Sequence, residues 1–88
     1  MEPILIVGAS GRAAAASAIA AGLSPTVIDL FADVDTQRLC PVLRCRFEDY
    51  PQGFIPLSMQ APPGPWMYTG GLENHPEIVS AISRERPL

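Results

Sequence analysis

Ile4-Leu5-Ile6-Val7-Gly8-Ala9-Ser10-Gly11-Arg12 is the stretch that decides the fold of this chain. Four consecutive apolar residues, three of them β-branched, are typical of a parallel strand covered on both faces. The glycines that follow indicate a tight turn, and Ser10 is a candidate N-cap for a helix from Gly11 or Arg12 to Ala21. Such a turn presents backbone N–H groups beside the positive end of a helix, which favours anions. The order of strand, glycine turn and helix predicts the first half of a mononucleotide-binding α/β unit.

The rest of the chain continues to alternate apolar strand patterns with helical ones. We expect further strands over residues 26–30, 42–47 and 66–69, and helices over residues 34–39 and 54–60. A last helix is predicted to follow Asn74 as its N-cap, with Glu77 completing a capping box. Parallel strands need crossover connections, and the helices between the strands supply them. We therefore predict an α/β fold, a Rossmann-like three-layer domain with a four-stranded, mostly parallel sheet of order 3-2-1-4 and flanking helices.

Length and composition allow one small globular domain. The chain has 88 residues, 48% of them apolar and 17% charged, and a net charge of −3. Its six cations are all arginines without a cluster, which argues against nucleic acid as a partner. No apolar stretch reaches the roughly 20 residues of a membrane span, so no membrane partner is expected either. Two cysteines and one histidine give neither a disulfide framework nor a structural zinc site, and a reducing, cytoplasmic compartment is the simplest interpretation.

The turn after the first strand is the first candidate site, through Gly8, Ser10, Gly11 and Arg12. Its spacing departs from the dinucleotide fingerprint, because Ser10 stands where the second glycine is required. Arg12 lies in the first helical turn, where the helix dipole disfavours a cation, so a nearby anion would explain its placement. Two plainer interpretations stay open. In the first, the turn holds no ligand. In the second, Arg12 faces solvent or pairs with Asp33.

The second candidate site is the loop after the fourth strand, with Gly70, Gly71, Glu73 and Asn74. Ligands in open α/β sheets bind beyond the carboxyl ends of the strands where the topology reverses, so this loop and the Gly8 turn flank one crevice if strands one and four are neighbours. Glu73 could then bind a substrate amine or hydroxyl, while Asn74 could equally serve only as a helix cap. Asp29, which ends the second strand pattern, could bind a ribose hydroxyl or cap the turn that follows it.

Three motifs together carry a resemblance to a known family. They are Gly8-Ala9-Ser10-Gly11-Arg12-Ala13-Ala14, Asp29-Leu30-Phe31-Ala32-Asp33 and Pro65-Trp66-Met67-Tyr68-Thr69-Gly70-Gly71-Leu72-Glu73-Asn74-His75-Pro76. The chain resembles, over nearly its whole length, the N-terminal pre-ATP-grasp domain of ATP-grasp ligases, within a poorly characterised subgroup. The last motif is the most specific of the three.

The resemblance implies that residues 1–88 are the N-terminal part of a longer ligase. Enzymes of this family activate a carboxylate as an acyl phosphate and transfer the acyl group to an amine or another nucleophile. ATP and Mg²⁺ would be held by later domains, through lysines and acidic residues absent from this segment, so we expect no cofactor in it and no ATP hydrolysis by it alone. The segment would contribute a site for a small anionic or carboxylate substrate, with the C-terminal ATP-grasp domains as its partner in cis.

Two other functions stay open from the residues. One is an NAD(P)-binding domain of a reductase, which would use a complete glycine fingerprint and a Tyr-x-x-x-Lys pair. The chain contains no lysine, so that pair cannot form within it. The other is an interaction domain without a ligand, whose Trp66-Met67-Tyr68 region packs against a partner.

Overall fold

A parallel sheet forms the centre of the molecule. The computed structural model describes residues 2–8, 11–31 and 34–88 of the chain. The strands are β1 (Pro3–Val7), β2 (Ser24–Asp29), β3 (Val42–Arg44) and β4 (Trp66–Tyr68). The α-helices are α1 (Arg12–Ala20), α2 (Val34–Leu39), α3 (Phe54–Gln60) and α4 (Pro76–Ser83). Short 3₁₀ helices cover Phe47–Asp49 and Leu72–Asn74.

The order of the strands is β3-β2-β1-β4, and every neighbouring pair is parallel. Leu5 of the central strand β1 is paired with Thr26 of β2 on one side and with Trp66 of β4 on the other. The chain leaves β1 toward β2 and β3 and later returns to the opposite side for β4, so the topology reverses between β1 and β4. The predicted α/β fold and the predicted strand order are confirmed.

Helices cover both faces of the sheet because β1 is apolar on both. Leu5 lies in a buried cluster with Phe54 of α3 and Ile78 of α4. Ile6, which points to the opposite face, lies in a second cluster with Ala15 of α1. The alanines of α1 have short side chains and high helix propensity, so this helix can lie close to the sheet.

The third strand is shorter than the sequence predicts. β3 ends at Arg44, whereas the alternation of apolar residues and arginines indicated a strand to residue 47. β2 ends at Asp29, which is paired with Arg44, so β3 has no partner beyond Cys45, whose N–H donates to the Asp29 carbonyl. The chain turns into the 3₁₀ helix Phe47–Asp49 instead.

The predicted N-cap of α4 is wrong, and at α1 a glycine occupies the N-cap position instead of the predicted serine. The N-cap of α4 is His75, with no side-chain cap, and Asn74 belongs to the preceding 3₁₀ helix. Pro76 occupies the first helical position, and a proline disfavours helical geometry in the residue before it, which sets the start of the helix there. At α1 the N-cap position belongs to Gly11. Ser10, the predicted cap, lies outside the described residues.

Residues near the end of the chain connect α3 to β4. Arg86 is buried, and its guanidinium donates hydrogen bonds to backbone carbonyls at 3.1–3.3 Å. The acceptors follow or end α3: Ser58, Ala61 and Gly64. The carboxyl end of a helix carries negative partial charge, which suits a cation. The carbonyl of Pro87 accepts a hydrogen bond from the Trp66 N–H at 2.9 Å, so the same segment also binds the outer side of β4.

Candidate functional site at the carboxyl edge of the sheet

The strands bring one residue each to a row along the carboxyl edge of the sheet. Val7 is paired with Ile28 and with Tyr68, so the residues that follow them also lie side by side. Asp29 is in turn paired with Arg44. This edge row lies on the face that carries α1, because strand residues alternate between faces and Ile6 points toward α1. The edge row consists of Arg44, Asp29, Gly8 and Thr69.

Thr69 lies directly against Gly8 at the point where the topology reverses. A Cβ atom on Gly8 would overlap the Thr69 hydroxyl oxygen and lie 2.9 Å from Thr69 Cβ, so only glycine fits there. The backbone N–H of Thr69 donates to the Val7 carbonyl at 2.9 Å. Thr69 Oγ1 is buried and has no hydrogen-bond partner in the part of the chain that the structure describes. A buried hydroxyl without a partner costs about 1–3 kcal/mol, which a ligand could recover by bonding to it.

The start of α1 lies close to the sheet beside this pair. A Cβ atom on Gly11 would lie 2.7 Å from Val27 Cγ1, so glycine is required for the close approach. Gly11 offers no side-chain cap, and the first turn of α1 contains no acidic residue. Its N–H groups therefore remain suited to an anionic ligand. Ser10, predicted as part of the same site, lies outside the described residues.

Arg12 forms an ion pair with α2. Its Nη1 lies 3.3 Å from Oδ2 of Asp35, and the two side chains are 58% and 55% exposed. The partner is thus Asp35, whereas the sequence pointed to Asp33, which lies outside the described residues. An exposed pair of this kind contributes only about 0–1 kcal/mol, so an anionic ligand could compete for Arg12.

Asp29 is buried within the edge row, with 1% of the residue exposed. Its Oδ1 accepts a hydrogen bond from the Phe31 N–H at 3.1 Å. This contact agrees with the second interpretation from the sequence, in which Asp29 caps the turn after β2. The carboxylate also places a negative charge one strand away from Gly8.

The loop after β4 reaches the same edge. Gly71 has φ +98°, a conformation that glycine adopts readily, and Gly70 is exposed with open space around its Cα. Glu73 and Asn74 are exposed in the 3₁₀ helix Leu72–Asn74. The Gly8 turn and this loop therefore follow adjacent parallel strands, as the prediction required. Thr69 was not among the predicted site residues, although its place at the end of the predicted strand 66–69, directly before Gly70, was a usable signal.

Both cysteines are buried free thiols. Burial raises the pKa of the Cys40 thiol, and the charge of Asp29 adds to the effect. Burial raises the pKa of Cys45 in the same way, with a contribution from Asp49. A raised pKa keeps a thiol protonated and unreactive, so neither cysteine is a candidate nucleophile.

The described residues give no other sign of a cofactor. Within residues 2–8, 11–31 and 34–88, no group of three or more His, Cys, Asp or Glu side chains is placed to hold a metal ion. In the same ranges, no helix combines the length and the apolar character needed to cross a lipid bilayer. No protein-family model matches the chain, and no curated protein matches its sequence.

Proposed function

We propose that this chain is the substrate-side N-terminal domain of an ATP-dependent carboxylate–amine ligase of the ATP-grasp family, and that it is not catalytic alone. The observation that carries the proposal is the buried, unpartnered hydroxyl of Thr69 against Gly8, at the reversal point of a parallel sheet. Open α/β sheets bind ligands at such points. The uncapped start of α1 adds N–H donors on the same edge.

The charges around the edge row limit the ligand. The N–H groups of α1 and the Arg12 guanidinium favour an acid group. Asp29 lies beside Gly8 on the neighbouring strand, one strand spacing of about 5 Å away. Its buried carboxylate disfavours a second negative charge on the ligand and favours a hydrogen-bond donor. A small carboxylic acid that also carries a hydroxyl or an amine meets both requirements.

The contribution of this domain to a ligase is positioning. Fixed donors hold the acid substrate in place for a reaction completed elsewhere, which lowers the entropic cost of bringing the reactants together. ATP and Mg²⁺ would bind to C-terminal ATP-grasp domains in the same polypeptide, and the lysine-free sequence of this chain agrees with that division. The free thiols agree with a reducing, cytoplasmic compartment. We propose no nucleic-acid and no membrane partner.

Binding of simple anions to the ¹⁵N-labelled chain tests the site. Titration with inorganic phosphate and with glycolate, which carries both an acid group and a hydroxyl, should shift the amide signals of Gly8, Gly11 and Thr69 saturably. Thr69→Val should weaken binding about fivefold or more without lowering stability, because it removes a hydroxyl that lacks a partner in the free protein. Thr26→Val, the same change in the middle of β2, is the matched control. Equal binding by Thr69→Val and the parent protein would overturn the site.

A second measurement tests the ligase assignment. In a polypeptide that joins this domain to ATP-grasp domains, Arg12→Ala should raise KM for the acid substrate and leave kcat nearly unchanged, since Arg12 contributes to substrate binding. An unchanged KM contradicts the assignment even if the isolated chain binds anions.

A further inference from the structure

An exposed pair of aromatic rings lies farther along the carboxyl edge, beyond β2 and β3. Phe31 follows β2 and Phe47 begins the 3₁₀ helix after β3, and they are 57% and 58% exposed. Their ring centroids are 5.8 Å apart in an edge-to-face arrangement. The chain has three phenylalanines, of which only Phe54 is buried. Two of the three therefore remain at the surface, in contact with each other.

Two arginines lie beside this aromatic pair. Arg44, Arg46, Phe47 and Glu48 line a cleft of about 390 Å³. Arg46 donates a hydrogen bond to Glu48 and forms an ion pair with it. Arg44 forms no side-chain hydrogen bond or ion pair with any described residue, so its guanidinium is uncommitted. The cleft therefore carries one net positive charge.

A larger cleft continues from the first. It has a volume of about 610 Å³, shares both arginines with the smaller cleft, and is also lined by Pro56 and Leu57 of α3. Each volume falls within the range of small-molecule sites, about 300–1,000 Å³. Glu48 and Asp49 also line the larger cleft, so an anion is favoured near Arg44 and not throughout the space.

We propose that Phe31, Arg44, Arg46 and Phe47, termed the aromatic–arginine surface, bind a small aromatic acid. A planar ring buries the exposed phenylalanine faces and edges, and the uncommitted guanidinium of Arg44 pairs with a carboxylate or phosphate group through two parallel hydrogen bonds. An aliphatic acid leaves the rings exposed, and a neutral aromatic molecule leaves Arg44 unused. The surface shares Arg44 with the edge row, but its argument uses neither Thr69, Gly8 nor Arg12, so it does not depend on the ligase proposal.

Matched probes separate the contributions of the ring and the charge. The ¹⁵N-labelled chain is titrated with phenyl phosphate and benzoate, with inorganic phosphate and acetate as the ring-free acids, and with benzyl alcohol as the uncharged ring. Either aromatic acid, or both, should shift the amide signals of Phe31, Arg44 and Phe47 saturably and bind about tenfold more tightly than its ring-free counterpart. The two aromatic acids show which acid group the surface prefers.

Exposed-site variants test the residues without disturbing the core. Arg44→Gln and Phe47→Ser should each weaken phenyl phosphate or benzoate binding about fivefold to tenfold. Arg38→Gln on α2 and Met59→Ser on α3 are matched controls, since Arg38 is exposed and Met59 is 58% exposed, and neither lines these clefts. Circular dichroism confirms that each variant is folded.

Four results would overturn the aromatic–arginine surface. In the first, ring-free acids bind as tightly as the aromatic acids. In the second, Arg44→Gln and Phe47→Ser bind the aromatic acids like the controls. In the third, the chain shows a concentration-dependent mass that Phe47→Ser abolishes, which would make the aromatic pair a protein contact. Shifts confined to Gly8 and Gly11 also reject this surface, while supporting the separate anion site.

Discussion

The guanidinium of Arg86 lies among backbone carbonyl groups at the end of α3, and 8% of the residue is exposed. Desolvation lowers its pKa, and the carbonyl oxygens of Ser58, Ala61 and Gly64 take the place of water as acceptors. Hydrogen bonds that involve a charged group contribute more than those between neutral groups. Removing the guanidinium also leaves those carbonyls without their donor.

Arg86→Met should therefore lower the free energy of unfolding by about 2 kcal/mol or more. Arg84→Met, at an exposed position two residues earlier, should change it by less than about 0.5 kcal/mol. Urea unfolding followed by the fluorescence of the buried Trp66 measures both. Equal effects of the two substitutions would mean that the Arg86 hydrogen bonds contribute nothing to stability.

The contact between Gly8 and Thr69 gives a second prediction for single residues. Gly8→Ala should destabilise the chain by about 1–3 kcal/mol, because the added methyl group overlaps the Thr69 hydroxyl. Adding Thr69→Ala should restore only part of the loss, since Thr69 Cβ would still lie 2.9 Å from the new atom. Gly70→Ala, which meets no atom within 4 Å, is the control. A neutral Gly8→Ala variant would show that β1 and β4 can move apart at this point.

At the scale of elements, local pattern and local geometry disagree most clearly at the start of α4. The sequence predicted a capping box at Asn74 and Glu77, but the helix begins at Pro76. The N-cap residue is His75, whose side chain makes no capping hydrogen bond. The preceding 3₁₀ helix is held by Leu72, which is 1% exposed. Burial of Leu72 and the constraint from Pro76 thus decide the path of the chain between β4 and α4.

Asn74→Ala should accordingly change the free energy of unfolding by less than about 0.5 kcal/mol, whereas loss of a true N-cap costs about 1 kcal/mol. Leu72→Ala should cost about 2–5 kcal/mol as a large-to-small change in the core. Thermal unfolding of both variants by circular dichroism compares them. A loss near 1 kcal/mol for Asn74→Ala would contradict this expectation and support Asn74 as the N-cap of α4.

The limits of a helix or strand can be predicted when its own residues and the flanking turns determine them, but not when distant segments do. Continuous apolar runs were sufficient for β1, and α2 and α3 have the predicted bounds because turn residues flank them. The predicted end of β3 was wrong, because the strand stops where its partner β2 stops, and the residues of β3 do not encode that point. Arg86 is buried by contacts with residues 22–28 positions earlier, and no local sequence pattern indicates those contacts.

At the scale of the whole molecule, the sheet separates two apolar layers, and each contains one cysteine. Cys40 belongs to the cluster beneath α1, and Cys45 to the cluster beneath α3 and α4. The strand order that creates these layers was predictable, because buried parallel strands joined by helices allow few arrangements. The contacts across the edge row and between Phe31 and Phe47 were not, because they depend on the register between segments distant in sequence.

The two thiols should report on how the layers open. A small single domain unfolds cooperatively, so the single-cysteine variants Cys40→Ala and Cys45→Ala should react with a thiol reagent at nearly the same rate, set by global unfolding. A rate for one thiol that is tenfold or more faster would show that its layer opens separately (about 1.4 kcal/mol of difference).

Stability should also fall at high pH because of these thiols. Burial raises both thiol pKa values above the ordinary 9.0, so the protonated form stabilises the fold fully below that value and the stabilisation is lost as the pH rises through the folded pKa values. The free energy of unfolding should decline above pH 9 more steeply than in a Cys40→Ala/Cys45→Ala variant. Parallel curves would show that the thiols ionise alike in both states.

The hydrogen bonds of residues 86 and 87 have a consequence for biosynthesis. They bind the end of α3 and the outer side of β4, two segments translated well before them. While residue 86 is still inside the ribosomal exit tunnel, those earlier segments lack the donors and acceptors that hold them. The nascent polypeptide should therefore acquire protease resistance only after residue 87 has emerged, as one unit rather than strand by strand.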